Sequence, residues 1–111
     1  EVLGTDIDPQ AIEAANYNAE VNQADAHFYL PEQMPEGRFD VVVANILSNP
    51  LRILAPALLG RVKSGGHLVL SGILERQADE LIEVYRSYRP DSPLPVWKSM
   101  DGWICLAGQI A

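Results

Sequence analysis

The stretch EVLGTDIDPQAIEAANYNAE, residues 1–20, indicates the fold class. It opens with an apolar, β-branched run that reaches Asp6, as a buried parallel strand would. Asp8 and Pro9 then mark a helix start, with Asp8 at the N-cap and Pro9 at the first helical position. Alanine and isoleucine recur after them at spacings that form one apolar helix stripe. A strand followed directly by a capped helix is the repeating unit of α/β folds.

The rest of the chain continues this alternation. The predicted elements are a strand at 26–30, a proline-punctuated loop at 31–38, a strand within 39–47, a helix opening at 49–50, a turn at 63–66, a strand at 67–73 and a helix at about 75–88. Pro56 lies inside the second helix and should kink it or split it. The alternation predicts a mostly parallel sheet flanked by helices.

The end of the chain breaks the alternation. Asp101 and Gly102 stand between two β-rich runs, PVWKSM and WICLAGQI. A two-residue Asp-Gly connection is a strong hairpin signal, so the last two strands are predicted to be antiparallel to each other. Trp97 and Trp103 flank the turn and are expected to pack across the hairpin.

Composition limits the classes of function. The 111 residues suffice for one α/β core, so we expect residues 1–111 to belong to a single domain. The net charge is −7 without a Lys/Arg cluster, which disfavours direct nucleic-acid binding and is compatible with a basic protein partner. No apolar run approaches the ~20 residues that span a bilayer, so no membrane association is expected. Cys105 is the only cysteine, which fits a reducing compartment such as the cytoplasm.

Polar residues close three of the predicted strands, at Asp6, Asn45 and Ser71. Ligands of doubly wound α/β sheets bind at such strand ends. A carboxylate after the second strand of a nucleotide-binding unit accepts hydrogen bonds from ribose hydroxyls, which is the role we predict for Asp6. The alternative is that Asp6 only belongs to the turn, but Asp8 already fills the cap position. Ile7 is expected either to lie against an adenine face or to join the core.

Asn45 ends an otherwise apolar strand. Burying its amide unpaired would cost roughly 1–3 kcal/mol, so it should have a partner. That partner is either a helix or turn cap, or a bound ligand or incoming nucleophile.

His27 and His67 begin strands and are interpreted as structural or surface residues. No spacing of His, Cys, Asp and Glu predicts a metal site, and no Ser/His/Asp or Cys/His set predicts covalent catalysis.

The segments GTDIDPQAIEAANYNAE, FDVVVANILSNPL and RVKSGGHLVLSGIL, in this order, resemble the class I methyltransferases. The stretch VVVANIL with its Pro-Leu helix start, followed by LSGIL, is more narrowly similar to the bacterial ribosomal protein L-eleven methyltransferases (PrmA). The resemblance covers nearly the whole chain, including the terminal hairpin. It implies a Rossmann-like sheet ordered 3-2-1-4-5-7-6 with an antiparallel seventh strand.

The resemblance also implies a chemistry. The family's cofactor is S-adenosylmethionine, and the reaction it implies is methylation of lysine side chains or the α-amine of a basic ribosomal protein. By position, Asp6 matches the family's ribose-binding acid, and Ile7 follows it at the adenine. Asn45 matches the asparagine of the family's Asn-Ile-Leu motif beside the reactive methyl, so it is expected both to contact the cofactor and to take part in catalysis.

The family pattern begins with a first strand and a glycine loop, and residues 1–111 are expected to lack both. Residues 1–111 are therefore expected to be the carboxyl-terminal part of a catalytic domain, inactive alone. The strands that flank the absent one would then pair in an altered way or with another chain. Two other functions remain open: another class I N-methyltransferase, or a non-catalytic protein-binding module that retains the fold. A glutamine-directed relative is disfavoured because it would carry Asn-Pro-Pro-Tyr at residues 45–48.

Overall fold

The computed structural model describes residues 1–111 as two compact units, Glu1–Glu36 and Gly37–Ala111. The strands are β1 (Val2–Thr5), β2 (Ala26–Tyr29), β3 (Phe39–Asn45), β4 (Val62–Leu74), β5 (Val96–Met100) and β6 (Trp103–Gln109). The helices are α1 (Pro9–Val21), α2 (Ser48–Ile53), α3 (Ala55–Gly60) and α4 (Ala78–Tyr88), with short 3₁₀ turns at Pro31–Gln33 and Glu75–Gln77. No helix combines the length and the apolar character needed to cross a lipid bilayer.

The first unit is a β-α-β segment in which β1 and β2 pair in parallel. Asp8 caps α1 as predicted, because its carboxylate accepts a hydrogen bond from the Gln10 backbone N–H at 2.9 Å. Asn16 connects α1 to β2 through its amide, which donates to the Phe28 carbonyl and accepts from the Phe28 N–H, each at 3.0 Å. The unit buries no residue fully, and these two hydrogen bonds fix α1 to β2 beside its half-buried apolar contacts.

The second unit contains a four-stranded sheet in the order β3-β4-β6-β5. β3 and β4 are parallel, whereas β6 is antiparallel to both β4 and β5. The predicted hairpin is confirmed: Asp101 and Gly102 have φ values of 52° and 82°, the pair of left-handed residues that a type I′ turn requires. Trp103 pairs in register with Met100, not with Trp97, and both tryptophans stay more than half exposed.

The hydrophobic core lies in the second unit, where α2, α3 and α4 cover the sheet. Its fully buried members include Leu51, Leu68, Leu70, Ile73, Tyr85 and Leu106. The predicted effect of Pro56 is confirmed, because the helical segment divides at Leu54 into α2 and α3. The loop 89–95 and Ile110 close the core at its end, with Leu94 and Ser92 buried.

The strand order agrees with the order that the resemblance implies. In the family's numbering β1 and β2 are strands two and three, and β3, β4, β5 and β6 are strands four to seven. The observed orders, read as β2-β1 and β3-β4-β6-β5, match the partial orders 3-2 and 4-5-7-6 within that sheet. The expected altered pairing does not form within the chain, since β1 pairs only with β2 and β3 only with β4.

Two predicted boundaries were wrong. Residues 63–66 do not form a separate turn but lie within β4, because Val62 already pairs with Phe39 and the Gly65 N–H donates to the Ile110 carbonyl at 2.7 Å. The helix expected from residue 75 starts as a 3₁₀ turn, and regular α-helix begins at Ala78.

Candidate functional site

A cleft of about 480 Å³ lies where β3 and β4 end in the second unit. Its lining residues come from the end of β3, the segment after it, the second half of β4 and the start of β6: Asn45, Ile46, Leu47, Ser71, Gly72 and Trp103. The carboxyl ends of parallel strands are the edge at which α/β proteins bind ligands. The structure therefore brings together two of the predicted strand ends, Asn45 and Ser71, which are also paired in register.

A β-bulge shapes one wall of the cleft. Leu70 of β4 pairs with Leu106 of β6, but the next pair is Ile73 with Ile104, so Ser71 and Gly72 together face Cys105. Gly72 has φ +81°, a left-handed conformation that favours glycine. This geometry turns the strand at the point where the polar residues of the cleft meet.

Two acceptor oxygens approach Gly72 from the other wall. A Cβ atom at position 72 would lie 2.8 Å from the carbonyl oxygen of Ile46 and 3.0 Å from Oδ1 of Asn45. Neither oxygen receives a hydrogen bond from the chain. A carbonyl next to a helix start commonly accepts a hydrogen bond from the N–H four residues later. Four residues after Ile46 stands Pro50, which has no N–H. Both oxygens are therefore available to a donor in the cleft.

The prediction that Asn45 is buried with a partner was wrong. Asn45 is exposed, so water can satisfy its amide and no internal partner is required. The capping alternative does not hold either, because Leu47 occupies the N-cap of α2 and no side chain caps that helix. Contact of Asn45 with a ligand stays a prediction.

Asp6 follows β1 in the first unit and is exposed. The expectation that Asp6 has no structural role was wrong, because its Oδ1 accepts a hydrogen bond from the Asp8 N–H at 3.0 Å. The reason is local, since an aspartate readily bonds to the backbone two residues ahead. Its Oδ2 has no partner in the chain and remains an acceptor. Ile7 is 85% exposed, so it is not a core residue of this unit.

The histidines lie outside the cleft. His27 is exposed on β2, with Nε2 at 3.1 Å from Oδ1 of Asp25. Together with the Glu1 carboxylate they form a group whose potential ligand atoms lie within 4.8 Å, which the sequence spacing did not reveal. All three residues are exposed, and a hydrogen bond between His27 and Asp25 accounts for the closest contact. His67 is exposed on β4.

Sequence reasoning did not assign Ile46, Leu47, Gly72 or Trp103 to the site. A signal existed for Gly72, because an isolated glycine inside an apolar strand pattern often marks a bulge. Trp103 carried no such signal. It lies 31 or more residues along the chain from every other member of the lining, and only the antiparallel return of β6 beside β4 brings it there.

The comparisons with known proteins agree with this architecture. The family model of ribosomal protein L11 methyltransferase (PrmA) matches residues 1–111. The ribosomal protein L11 methyltransferase of Ralstonia pickettii is 56% identical over 108 residues, which is 97% of this chain and 35% of the relative. That of Bordetella parapertussis is 57% identical over 108 residues, 97% of this chain and 34% of the relative. This chain thus spans about a third of the length of these relatives.

Solved structures show the same fold. The ribosomal protein L11 methylase of Lactobacillus delbrueckii subsp. bulgaricus superposes with a TM-score of 0.85 at 29% identity, covering 99% of this chain and 57% of that one. A methyltransferase of Pyrococcus furiosus gives a TM-score of 0.80 at 17% identity, covering 98% of this chain and 62% of that one, a likeness of fold alone. The predicted class I methyltransferase fold is confirmed. With its whole length matched by the family model, the chain belongs to the ribosomal protein L11 methyltransferase (PrmA) family.

Proposed function

We propose that the full-length protein transfers methyl groups from S-adenosylmethionine to amino groups of ribosomal protein L11, on lysine side chains or the α-amine. The observation that carries this proposal is the pair of unpartnered acceptor oxygens, Asn45 Oδ1 and the Ile46 carbonyl, which meet in one open cleft. The substrate follows from the names of the relatives.

The cofactor would be held in part by Asp6. Ribose offers two hydroxyl donors, and a carboxylate offers only acceptor sites, so the two are chemically matched. Asp6 fits this role because its Oδ2 is unpartnered and its Oδ1 is held by the Asp8 N–H. Ile7 presents an exposed apolar side chain next to it, as contact with an adenine face requires. When bound, S-adenosylmethionine supplies an electrophilic methyl group on a sulfonium.

The cleft would hold the acceptor amine. A neutral amine can donate its N–H groups to Asn45 Oδ1 and to the Ile46 carbonyl, which leaves its lone pair free to act as the nucleophile. No carboxylate lines the cleft, so an ammonium ion gains no ion pair there. The contribution of these residues is orientation, which accounts for large rate effects in enzymes. The cleft is open, and solvent can accept the proton that the amine loses.

The surroundings of the cleft are compatible with a protein substrate. Leu47 and Trp103 are 71% and 51% exposed and can pack on the aliphatic part of a lysine. The net charge of −7 favours a basic partner such as a ribosomal protein over direct nucleic-acid contact. With a ribosomal protein as the substrate, we propose that the reaction occurs in the cytoplasm. In residues 1–111 alone, the free edges of β1 and β3 are the places at which a second chain would add a strand.

The test combines binding and transfer. S-adenosylmethionine affinity of the full-length protein is measured by calorimetry, and methyl transfer to purified ribosomal protein L11 is followed by mass spectrometry. We expect saturable binding and methylated amines on L11. Binding with methylation of other protein amines, but not L11, would favour another class I N-methyltransferase. Absence of binding would favour a non-catalytic protein-binding module.

A further inference from the structure

Gly72 differs from the other left-handed glycines of the chain. Gly65 and Gly102 also have φ near +80°, but a Cβ atom added to either would meet nothing within 4 Å. A Cβ at Gly72 would meet the Ile46 carbonyl oxygen and Asn45 Oδ1 at 3.0 Å or less. Gly72 alone of these three combines a conformation that side chains disfavour with a close neighbour that a side chain would displace.

The neighbour is the pair of acceptor oxygens on which the proposed function depends. The Ile46 carbonyl belongs to the backbone between β3 and α2, so it cannot avoid a new Cβ by a simple rotamer change. Asn45 is held at the same place by its pairing with Ser71, the first residue of the bulge. Any side chain at position 72 must therefore move the Ile46 carbonyl, the Asn45 side chain, or the bulge itself.

We infer that Gly72 is a positioning residue: the bulge that it completes sets the separation and direction of the Asn45 amide and the Ile46 carbonyl. The effect of Gly72 on catalysis rests on the proposed function, whereas its effect on the position of Asn45 does not. Position 72 thus has two reasons to be glycine: its left-handed φ and the lack of space for a Cβ atom. The site tolerates no Cβ because two hydrogen-bond acceptors occupy the space into which the Cβ would point.

The test compares Gly72→Ala with Gly65→Ala in the full-length protein. Both substitutions place alanine at a similar φ, +81° and +84°, so they carry similar backbone strain, but only the first introduces a contact. We expect Gly72→Ala to lower kcat for L11 methylation on the order of a hundredfold, the scale of an ångström-sized misplacement. S-adenosylmethionine Kd should change little. Gly65→Ala should keep the wild-type kcat.

A second variant and a second readout complete the experiment. Gly72→Asn tolerates a left-handed φ better than alanine yet has the same Cβ, so it should show the same loss of kcat with less loss of stability. The side-chain amide signal of Asn45 in the NMR spectrum should shift in both Gly72 variants and stay in place in Gly65→Ala. Asn45→Ala identifies that signal.

The outcomes separate the two hypotheses. A wild-type protein that transfers no methyl group would remove the proposed function, while the Asn45 signal would still report whether Gly72 positions the amide. Equal kcat in Gly72→Ala and Gly65→Ala, or an unmoved Asn45 signal, would overturn the inference. A loss confined to S-adenosylmethionine Kd would overturn it as well.

Discussion

The hydroxyl of Tyr85 donates a hydrogen bond of 2.6 Å to the carbonyl of Leu51, and both residues are buried. This bond joins α4 to α2 across the core. No backbone N–H reaches the Leu51 carbonyl, because α2 ends at Ile53 before the interruption that Pro56 imposes. Tyr85 thus supplies the donor that a continuous helix would have supplied itself.

We expect Tyr85→Phe to lower the free energy of unfolding by roughly 1–3 kcal/mol, because the buried Leu51 carbonyl loses its only donor. Urea unfolding of the full-length protein measures the change. Tyr88→Phe is the matched control, since Tyr88 lies on the same helix but is 52% exposed and makes no hydrogen bond through its hydroxyl. Equal effects of the two substitutions would argue against a structural role for the Tyr85 bond.

The same residue predicts a dependence on alkaline pH. Burial raises the pKa of Tyr85 to about 12, from 10.0. Between these values the unfolded chain releases the proton while the folded chain keeps it, so the folded state binds more protons and stability falls as pH rises. Unfolding measured from pH 9 to pH 12 should show this decrease beginning near pH 10. In Tyr85→Phe this component of the decrease should disappear.

Asp6 and Asp8 should separate into different phenotypes. Asp6→Ala is expected to weaken S-adenosylmethionine binding by roughly 1–3 kcal/mol, the scale of lost charge-assisted hydrogen bonds. Asp6→Asn keeps an acceptor for the Asp8 N–H and should show most of the same loss, which isolates the charge from the turn. Asp8→Ala should cost about 1 kcal/mol of stability through the lost cap, with little change in affinity. Calorimetry and thermal unfolding of the same samples compare the three, and exchanged phenotypes would contradict these roles.

Asn45→Ala should lower the rate of methyl transfer far more than it lowers S-adenosylmethionine affinity. The expected reduction is roughly a hundredfold, because the amine loses one of its two orienting acceptors. Single-turnover rates and cofactor binding on the same protein give the comparison. Asn49→Ala is the control, since Asn49 bonds to Arg52 at 2.7 Å and does not line the cleft. Wild-type transfer by Asn45→Ala would exclude Asn45 from the site.

Trp103 and Trp97 offer a second matched pair. Both are exposed tryptophans of the terminal hairpin, but only Trp103 lines the cleft. Trp103→Ala should weaken productive binding of L11 by roughly 0.8–1.6 kcal/mol, the scale of burying one or two lysine methylene groups. The measurement is KM for L11 at saturating S-adenosylmethionine. Trp97→Ala should leave this KM unchanged, and a similar increase in both variants would show that hairpin stability, not contact with substrate, is responsible.

Most of the fold was predictable because its signals are local. The capping of α1 by Asp8, the division of the second helix near Pro56 and the hairpin at Asp101-Gly102 each depend on residues within one or two turns of chain. The errors at residues 63–66 and 75–77 have a different origin. There the backbone bonds to distant segments, such as Gly65 to Ile110, and no local pattern reports them.

Residue order and hydrophobic period were sufficient for the order of the elements, for most of their bounds and for the two polar strand ends at Asp6 and Asn45. They could not determine the cleft. Its shape depends on an unequal pairing of β4 with β6, which places two residues opposite one, and on the resulting contact between Gly72 and the Ile46 carbonyl. Hydrogen-bond registry between strands arises only when the chain has folded back on itself. The local sequence pattern was therefore enough to predict Asn45 as a strand end, but the pairing of β4 with β6 determines which atoms surround it.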